Sequence, residues 1–592
     1  MEYSKYKDLP PLITITCAQN ILKSLGLKWS ETILQPSPHL YSTRLEIENL
    51  EWGTNGKGTT EDFSRASAYG EMMERLQNLH LPDSLIDMVD EATIKYSGFK
   101  YFPDESSVSL KTILEKHIDL KEDMRKSYEE SDNILPSDQD LYEIWTQWND
   151  NNESFKSIPF YSIRKKEVVQ LPFEIVRRLC RSNGMASGNS FDEALCQALS
   201  EVIERYALEM IFTKQLTPPE IPKAFIKENS PELYNTIIEL EKKGPFKLLV
   251  FDGSLGNKLP VVCIVFIDYL RQKYRIKFGC HPLFCIALER CLTELAQGCD
   301  FSEESNEKFL TSWDLSNLQK WDTLKNWSTM FRSNYGSIPL SIFYSVPSWK
   351  FVQWKQIADY DNNKGSKLLM QLCLGISTDV YIRDNNFLGF PCVRVYVPGI
   401  STVYKFNPLG NKNFLPKSLL TKLQSFPSVA KYLSKEDKMH IYDIFKKDYH
   451  SIYAEKLGVS VPILLGAINA ELGHLDAAIR YLNTEIQPSL FIKAVVKELE
   501  MRKIHISEED RDNMLTIFFG AKYKTYVALN WRDNNIVNGL FDPFRLKRGN
   551  AELDNRFKKT NDCVSKLFRS LKKRMEENVV YQDHIGSIIF GI

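Results

Sequence analysis

The sequence predicts an α+β chain: β-sheets packed with helices over about residues 1–410, then an all-α, TPR-like domain over 411–592. Three observations predict it. Short apolar runs bounded by Gly, Pro and Asn recur in the first part. After Asn411 those strand signals fade and helical periodicity takes over. A carboxylate pattern of helical spacing recurs three times before residue 300. A length of 592 residues asks for two or more domains, and 43% hydrophobic residues suffice for a large core.

Charge and cysteine usage narrow the function classes. Lys plus Arg number 75 against 76 Asp plus Glu, a net charge of −1. A wholly basic nucleic-acid binder and a charge-extended disordered chain are thereby excluded. Eleven Cys include no CxxC pair, and no apolar leader follows Met1, so a reduced, cytoplasmic setting is expected. The longest apolar stretch, near Val261–Ile267, falls far short of the ~20 residues a bilayer span needs. No membrane role is expected.

In chain order, residues 127–158 read as a long surface loop or disordered insertion, with Ser, Asp, Glu and Asn crowded around Trp145 and Trp148. Lys247–Phe251 and Val261–Ile267 read as a strand pair joined through the turn residues Asp252–Asn257. Val380–Ile382 and Val393–Val397 are further strands, the second stopped by Pro398-Gly399. Beyond 411, Leu464-Leu465-Gly466-Ala467, Ala470, Leu472-Gly473 and Ala477-Ala478-Ile479 stand where a tetratricopeptide helix pair places small and apolar residues; an ordinary helical bundle fits the same pattern. Residues 545–574 hold eleven basic and three acidic residues, a local charge of +8. Such a run is more often a solvated helix face than a patch for RNA or an acidic protein.

The most informative feature is an internal echo. Gly58…Glu71-Met72-Met73-Glu74, Gly188…Glu201-Val202-Ile203-Glu204 and His281…Glu294-Leu295-Ala296-Gln297 overlay without gaps, the first residue thirteen before the anchor Glu each time. Three positions before each anchor stands a small residue, Ala68, Ala198 or Cys291, and Arg75 and Arg205 follow the first two copies. Positions i and i+3 share a helix face, so two like charges lie side by side on apolar flanks. That is unfavourable unless a cation or proton compensates. A single Glu-x-x-Glu-Arg is a solvated face; three at one offset, each after a loop signal, point to one shared acidic pocket. Carboxylates at that density suit a hard divalent ion such as Mg²⁺, which usually completes its shell with substrate phosphates. Gly56-Lys57-Gly58 and Gly184…Gly188 would let backbone N–H groups reach phosphates, and Arg75, Arg205 and Arg290 would neutralise them. No Walker loop, kinase catalytic loop or HExxH occurs, and His281 reads as local structure.

At these residues the chain resembles the YcaO family. Its SxxxExxER signature stands as Ser67–Arg75, its ExxE pair as Glu201–Glu204 after Ser182–Asn189, and its ExxQ element as Glu294–Gln297. Phe251–Gly256, Ala287–Arg290, Val397–Gly399 and the TPR-like tail extend the likeness to the long enterobacterial form of the family, over nearly the whole chain. The resemblance implies a fold holding ATP and Mg²⁺. Carried over by position, Glu71, Glu74, Glu201, Glu204 and Glu294 would coordinate Mg²⁺ directly or through water. Lys7 and Thr14 would edge the nucleotide site, and Ser67, Arg75, Asn189, Glu193 and Gln297 would contact the nucleotide or orient the acids. Glu201, Glu204, Arg205 and Arg290 would carry the phosphoryl chemistry.

Family members add a nucleophile to a peptide C=O and phosphorylate the resulting oxygen so that it can leave, giving azolines, amidines or thioamides. Azoline formers usually end in a Pro-rich tail, whereas this chain ends Gly586–Ile592, which argues against azolines. The resembled long form serves as an accessory factor for β-methylthiolation of a small-subunit ribosomal protein. Three readings follow: such an accessory factor, with a methylthiotransferase or sulfur-delivery partner docked on its helical tail; an enzyme modifying a ribosomally made peptide, the tail serving leader recognition or homodimer formation; or an ATP-binding scaffold that turns nothing over.

Overall fold

The computed structural model describes residues 6–50, 52–81, 99–127, 135–149, 151–297, 310–312, 336–354, 357–403, 461–484, 490–531 and 550–590, with a few single residues between. Its strands are β1 Trp29–Ser37, β2 Leu40–Ile47, β3 Trp52–Gly58, β4 Ser106–Ser109, β5 Ser154–Ser162, β6 Glu167–Pro172, β7 Met185–Ser187, β8 Phe246–Asp252, β9 Val261–Asp268, β10 Lys273–Cys280, β11 Thr311–Ser312, β12 Tyr381–Asp384 and β13 Cys392–Tyr396. Every described pairing is antiparallel, in a three-stranded sheet β1-β2-β3, a four-stranded sheet β11-β10-β9-β8, and a six-stranded sheet ordered β4-β5-β12-β13-β7 with β6 beside β5.

The helices of the first 400 residues include α1 Pro11–Ser24, α2 Glu61–Gln77, α3 Asp138–Trp148, α4 Phe191–Thr213, α5 Phe284–Ala296 and α6 Asn362–Ile376. Each echo copy is a strand followed by a helix: β3 into α2, β7 into α4 and β10 into α5. Thr60 caps α2 and Ser190 caps α4, each hydroxyl accepting the N–H three residues on.

The small residues of the echo prove to be packing devices. Gly56 on β3 and Gly279 on β10 both lie fifteen residues before their anchor Glu. A Cβ on Gly56 would come within 2.8 Å of the Ala68 Cβ, and one on Gly279 within 2.9 Å of the Cys291 sulfur. Gly188 meets the Ala194 nitrogen in the same way, and its own N–H donates to Pro391 O. These glycines let strand and helix touch, and the Gly188 N–H is already engaged, which corrects the expectation that it reaches a phosphate.

One segment contradicts the sequence reading. The expected loop at 127–158 contains α3 and most of β5, with 128–134 and 150 outside the described residues. Ser137 and Asp140 form a capping box, and Leu141, Trp145 and Trp148 share the buried face. The polar residues that suggested a loop are that helix's cap and solvent face.

Beyond residue 411 every described element is helical: α7 Val461–Glu471, α8 Leu475–Asn483, α9 Leu490–Lys503, α10 Glu508–Phe519, α11 Ala521–Trp531, α12 Asn550–Glu577 and α13 His584–Phe590. The helices α7–α11 bury a cluster of their own. Gly466 there lies directly against Leu482, and Gly473 ends α7 at φ +80°. The last two helices go elsewhere. Val564, Leu567, Phe568, Leu571 and Met575 of α12 join the core built around α1, α2 and α3. Ile585 and Ile589 of α13 enter the second core with α4 and β9. The basic run is therefore the polar face of an amphipathic helix from residue 562 on: Lys566, Arg569 and Lys573 are exposed, while Lys572 is buried and donates to Phe99 O at 2.8 Å. Among the described residues no helix is long and apolar enough to cross a membrane.

Candidate nucleotide and metal site

The helices α2, α4 and α5 border one cavity of about 470 Å³. Glu71, Glu74, Glu201, Glu204 and Glu294 all line it, and so do Ser67, Arg75, Arg205, Arg290 and Gln297. Lys7, Thr14, Asn189 and Glu193 complete the lining on the N-terminal side. Residues drawn from 290 positions of chain thus meet where the overlay of the three copies implies a common site.

The N-terminal edge is a strap hydrogen-bonded to the start of α4. The Lys7 ammonium donates to Glu193 Oε1 at 2.9 Å and the Asp8 N–H to Oε2 at 2.9 Å. Asn189 donates to the same carboxylate and accepts from Thr14 at 2.6 Å. Burial alone would raise the Glu193 pKa, but Lys7 and these donors hold it below the ordinary value, so it stays ionised. Glu289, under the Tyr6 hydroxyl at 2.9 Å, is instead pushed up to about 7 by burial.

The acids are largely neutralised from within. Arg75 lies 2.9 Å from Glu71 and 3.0 Å from Glu74; the second is an ion pair by distance, because Nη1 makes no well-aligned hydrogen bond. Arg205 reaches Glu201 at 2.8 Å. Burial lifts Glu74 to about 8 against the opposing pull of Arg75, with Glu201 and Glu71 adding repulsion. Glu204 is raised for the same first reason and makes no hydrogen bond or ion pair among the described residues. Glu294 is paired with Lys57, and its Oε2 is buried without a hydrogen-bond partner. Arg290 donates to Cys280 O at 2.5 Å and to Gln197, while Gln297, just past α5, donates to Asn55 O at 2.8 Å.

These donors fit a hard cation and a polyphosphate. All are oxygen ligands, one of them a buried, unpartnered carboxylate oxygen, and Lys7, Arg290 and Arg205 stand by for anionic oxygens. Among the described residues no three acidic, His or Cys side chains are close enough to cage an ion unaided. An ion here must draw further oxygens from phosphate or water, which is the habit of Mg²⁺.

Sequence reasoning overlooked Lys57 and Lys277. Burial lowers Lys57 to about 8, against the pull of Glu204, and puts Lys277 far below the ordinary lysine value. Lys57 was in view only as the residue between two glycines, and Lys277 lies inside an apolar strand run; neither position carries a one-dimensional signal. His281 has the structural part expected of it: Nδ1 accepts from Leu283 N and Nε2 meets the Tyr360 hydroxyl at 3.1 Å.

Comparison with known proteins agrees with the geometry. Residues 55–401, more than half of the chain, match the family model described as YcaO cyclodehydratase, ATP- and Mg²⁺-binding. The chain is 28% identical over 495 residues to the ribosomal protein S12 methylthiotransferase accessory factor YcaO of Escherichia coli K12, covering 82% of this chain and 81% of that one. Among solved structures it is similar to a heterocyclase in complex with substrate and cofactor, with TM-score 0.46 and 15% identity over 67% of this chain and 53% of that one. The YcaO of Methanopyrus kandleri bound with AMPPCP and Mg²⁺ gives TM-score 0.42 and 17% identity, over 68% and 93%.

Proposed function

The chain belongs to the YcaO family, whose cofactors are ATP and Mg²⁺, and we propose that it activates a peptide-backbone amide by phosphorylation, as an accessory factor for methylthiolation of a ribosomal protein. The observation that carries the proposal is the gathering of the motif acids and arginines of three strand–helix units around one cavity. The likeness to the accessory factor over four-fifths of both chains supports the choice of target.

An amide oxygen is a poor leaving group; bound Mg-ATP would supply the phosphoryl group that makes it a good one. In this reading Glu71, Glu74, Glu201, Glu204 and Glu294 hold the metal side, and Arg205 and Arg290 spread the charge that develops on phosphoryl oxygens. Thr14, Asn189 and Lys7 orient the nucleotide end, Lys7 and Asn189 held by Glu193 and Thr14 held by Asn189. Helices α7–α11, with a core of their own, offer a body on which a methylthiotransferase or sulfur-delivery partner could dock.

A second reading, modification of a ribosomally made peptide, uses the same site. Incubating the protein with Mg-ATP and either ribosomal protein S12 or candidate peptides separates the two. Phosphate release stimulated by S12 or by a methylthiotransferase supports the accessory role. Peptide-dependent phosphate release with loss of water or gain of sulfur supports the second. Nucleotide binding with no turnover under any condition would leave a scaffold and overturn both.

A further inference from the structure

The five motif acids are not neutralised alike. Glu71 and Glu74 share Arg75, and Glu201 has Arg205, each cation on the same helix as its acid. Glu294 of α5 has its counter-charge from another element, Lys57 in β3. The Lys57 ammonium is also within electrostatic reach of Glu204, Glu71 and Glu201, with Arg290 as the nearby like charge. It stands where the acids of all three helices face one another, and it lines the cavity.

Chemistry distinguishes this cation from the two arginines. A guanidinium grips a carboxylate through a fixed planar fork, whereas an ammonium is a point charge on a flexible stem with three interchangeable donors. It can leave one anion for another without a geometric penalty. Those carboxylates of the cluster that stay ionised also need a positive charge nearby, including before metal arrives. The second oxygen of Glu294, buried and without a partner, shows that Lys57 leaves part of that carboxylate available.

We propose that Lys57 is an internal stand-in cation: it holds Glu294 while the cavity lacks metal, yields that carboxylate to Mg²⁺, and then pairs with a phosphate oxygen of the nucleotide. The proposal rests on the reading of the cavity as an Mg-ATP site. It makes Lys57 a positioning residue with opposite effects on the two ligands, which a merely structural lysine would not have.

The test measures binding of Mg²⁺ alone, and of a non-hydrolysable ATP analogue at saturating Mg²⁺, by calorimetry on the full chain. Lys57→Met should bind Mg²⁺ alone roughly tenfold more tightly than wild type, because the competing charge is gone. It should bind the nucleotide roughly tenfold more weakly, having lost a phosphate partner. Lys57→Arg keeps the charge but forks onto Glu294, so it should bind Mg²⁺ alone less tightly than wild type. Equal or weaker Mg²⁺ binding by Lys57→Met overturns the proposal. If that variant does not fold, unchanged Mg²⁺ affinity in Lys57→Arg overturns it instead. A wild-type chain that bound Mg²⁺ but no nucleotide would sink the functional reading, while the ordering of the variants toward Mg²⁺ would still decide the competition at Glu294.

Discussion

Helices α2 and α5 present the same motif to the same cavity and solve its charge problem in different ways. On α2 the acids and their cation are successive residues of one helix, so Glu71, Glu74 and Arg75 form a unit that needs nothing else to hold its shape. On α5 the Arg position of the motif is lost, Gln297 takes the place of the second acid, and the counter-charge crosses over from β3. Helix α4 resembles α2 in its Glu201–Arg205 pair but leaves Glu204 unpaired among the described residues. On α2 the acids thus draw their cation from their own helix, and on α5 the acid is completed from elsewhere. The lesson is that a repeated motif need not mean repeated energetics.

The difference can be broken from either side. The largest effect is expected at Arg75. Arg75→Met leaves two carboxylates facing each other in a shielded site and should destabilise the metal-free protein by about 3 kcal/mol in denaturant unfolding. Arg205→Met strands only one acid and should cost less; equal losses would mean that the α2 unit has no special status. Next comes Glu204→Gln, which should weaken Mg-ATP binding by roughly 100-fold in calorimetry while leaving the melting temperature near that of wild type. Retained affinity would remove Glu204 from the metal set. A smaller effect, about 1 kcal/mol of stability, is expected for Gln297→Ala, which removes the hydrogen bond from the end of α5 to Asn55.

The smallest concerns a surface counterpart of the α5 arrangement. His584 of α13 lies 2.9 Å from Asp384 of β12, and that carboxylate raises the pKa of the imidazole. The stabilisation is complete below the unfolded histidine pKa and fades as pH rises through the higher folded value. The opening free energy of α13, taken from hydrogen exchange after correction for the base-catalysed intrinsic rate, should fall as pH rises above the ordinary histidine range in wild type and lose that dependence in His584→Ala. A flat wild-type profile would show that Ile585 and Ile589 alone hold the helix.

Much of this was readable in the chain itself. The strand pair β8–β9, the strands β12 and β13, and the three motif helices announced themselves through apolar runs and a fixed offset, and the expected site residues, on those helices, on the residues that flank them and on the N-terminal strap with α1, all line one cavity. The echo was legible because acids and packing residues recur together: Gly56 under Ala68 and Gly279 under Cys291 require the same spacing as the carboxylates they position. What stayed hidden depends on which element lies opposite. Nothing local tells that Lys57 faces Glu294, 237 residues later. Nor do the Ser, Asp and Asn residues around Trp145 and Trp148 tell a loop from a capped helix until the apolar face has something to cover. Of the basic run, Lys566, Arg569 and Lys573 lie on a solvated face while the side chains of 545–561 fall outside the described residues, and the apolar face beneath finds its seat among residues of the first 180 together with Tyr381, Phe387, Phe390 and Tyr396.

That seat has a consequence for how the protein is made. Val564, Leu567, Phe568, Leu571 and Met575 close a core whose other walls, in the first 180 residues and at Tyr381–Tyr396, leave the ribosome long before them. Until the last helices emerge, the growing chain carries an open hydrophobic seam. Closing it needs contacts of very long sequence separation, which form slowly. Synthesis halted anywhere in the helical part would therefore yield a chain prone to aggregate, and chaperone demand should peak late in translation, after every motif acid has already been laid down.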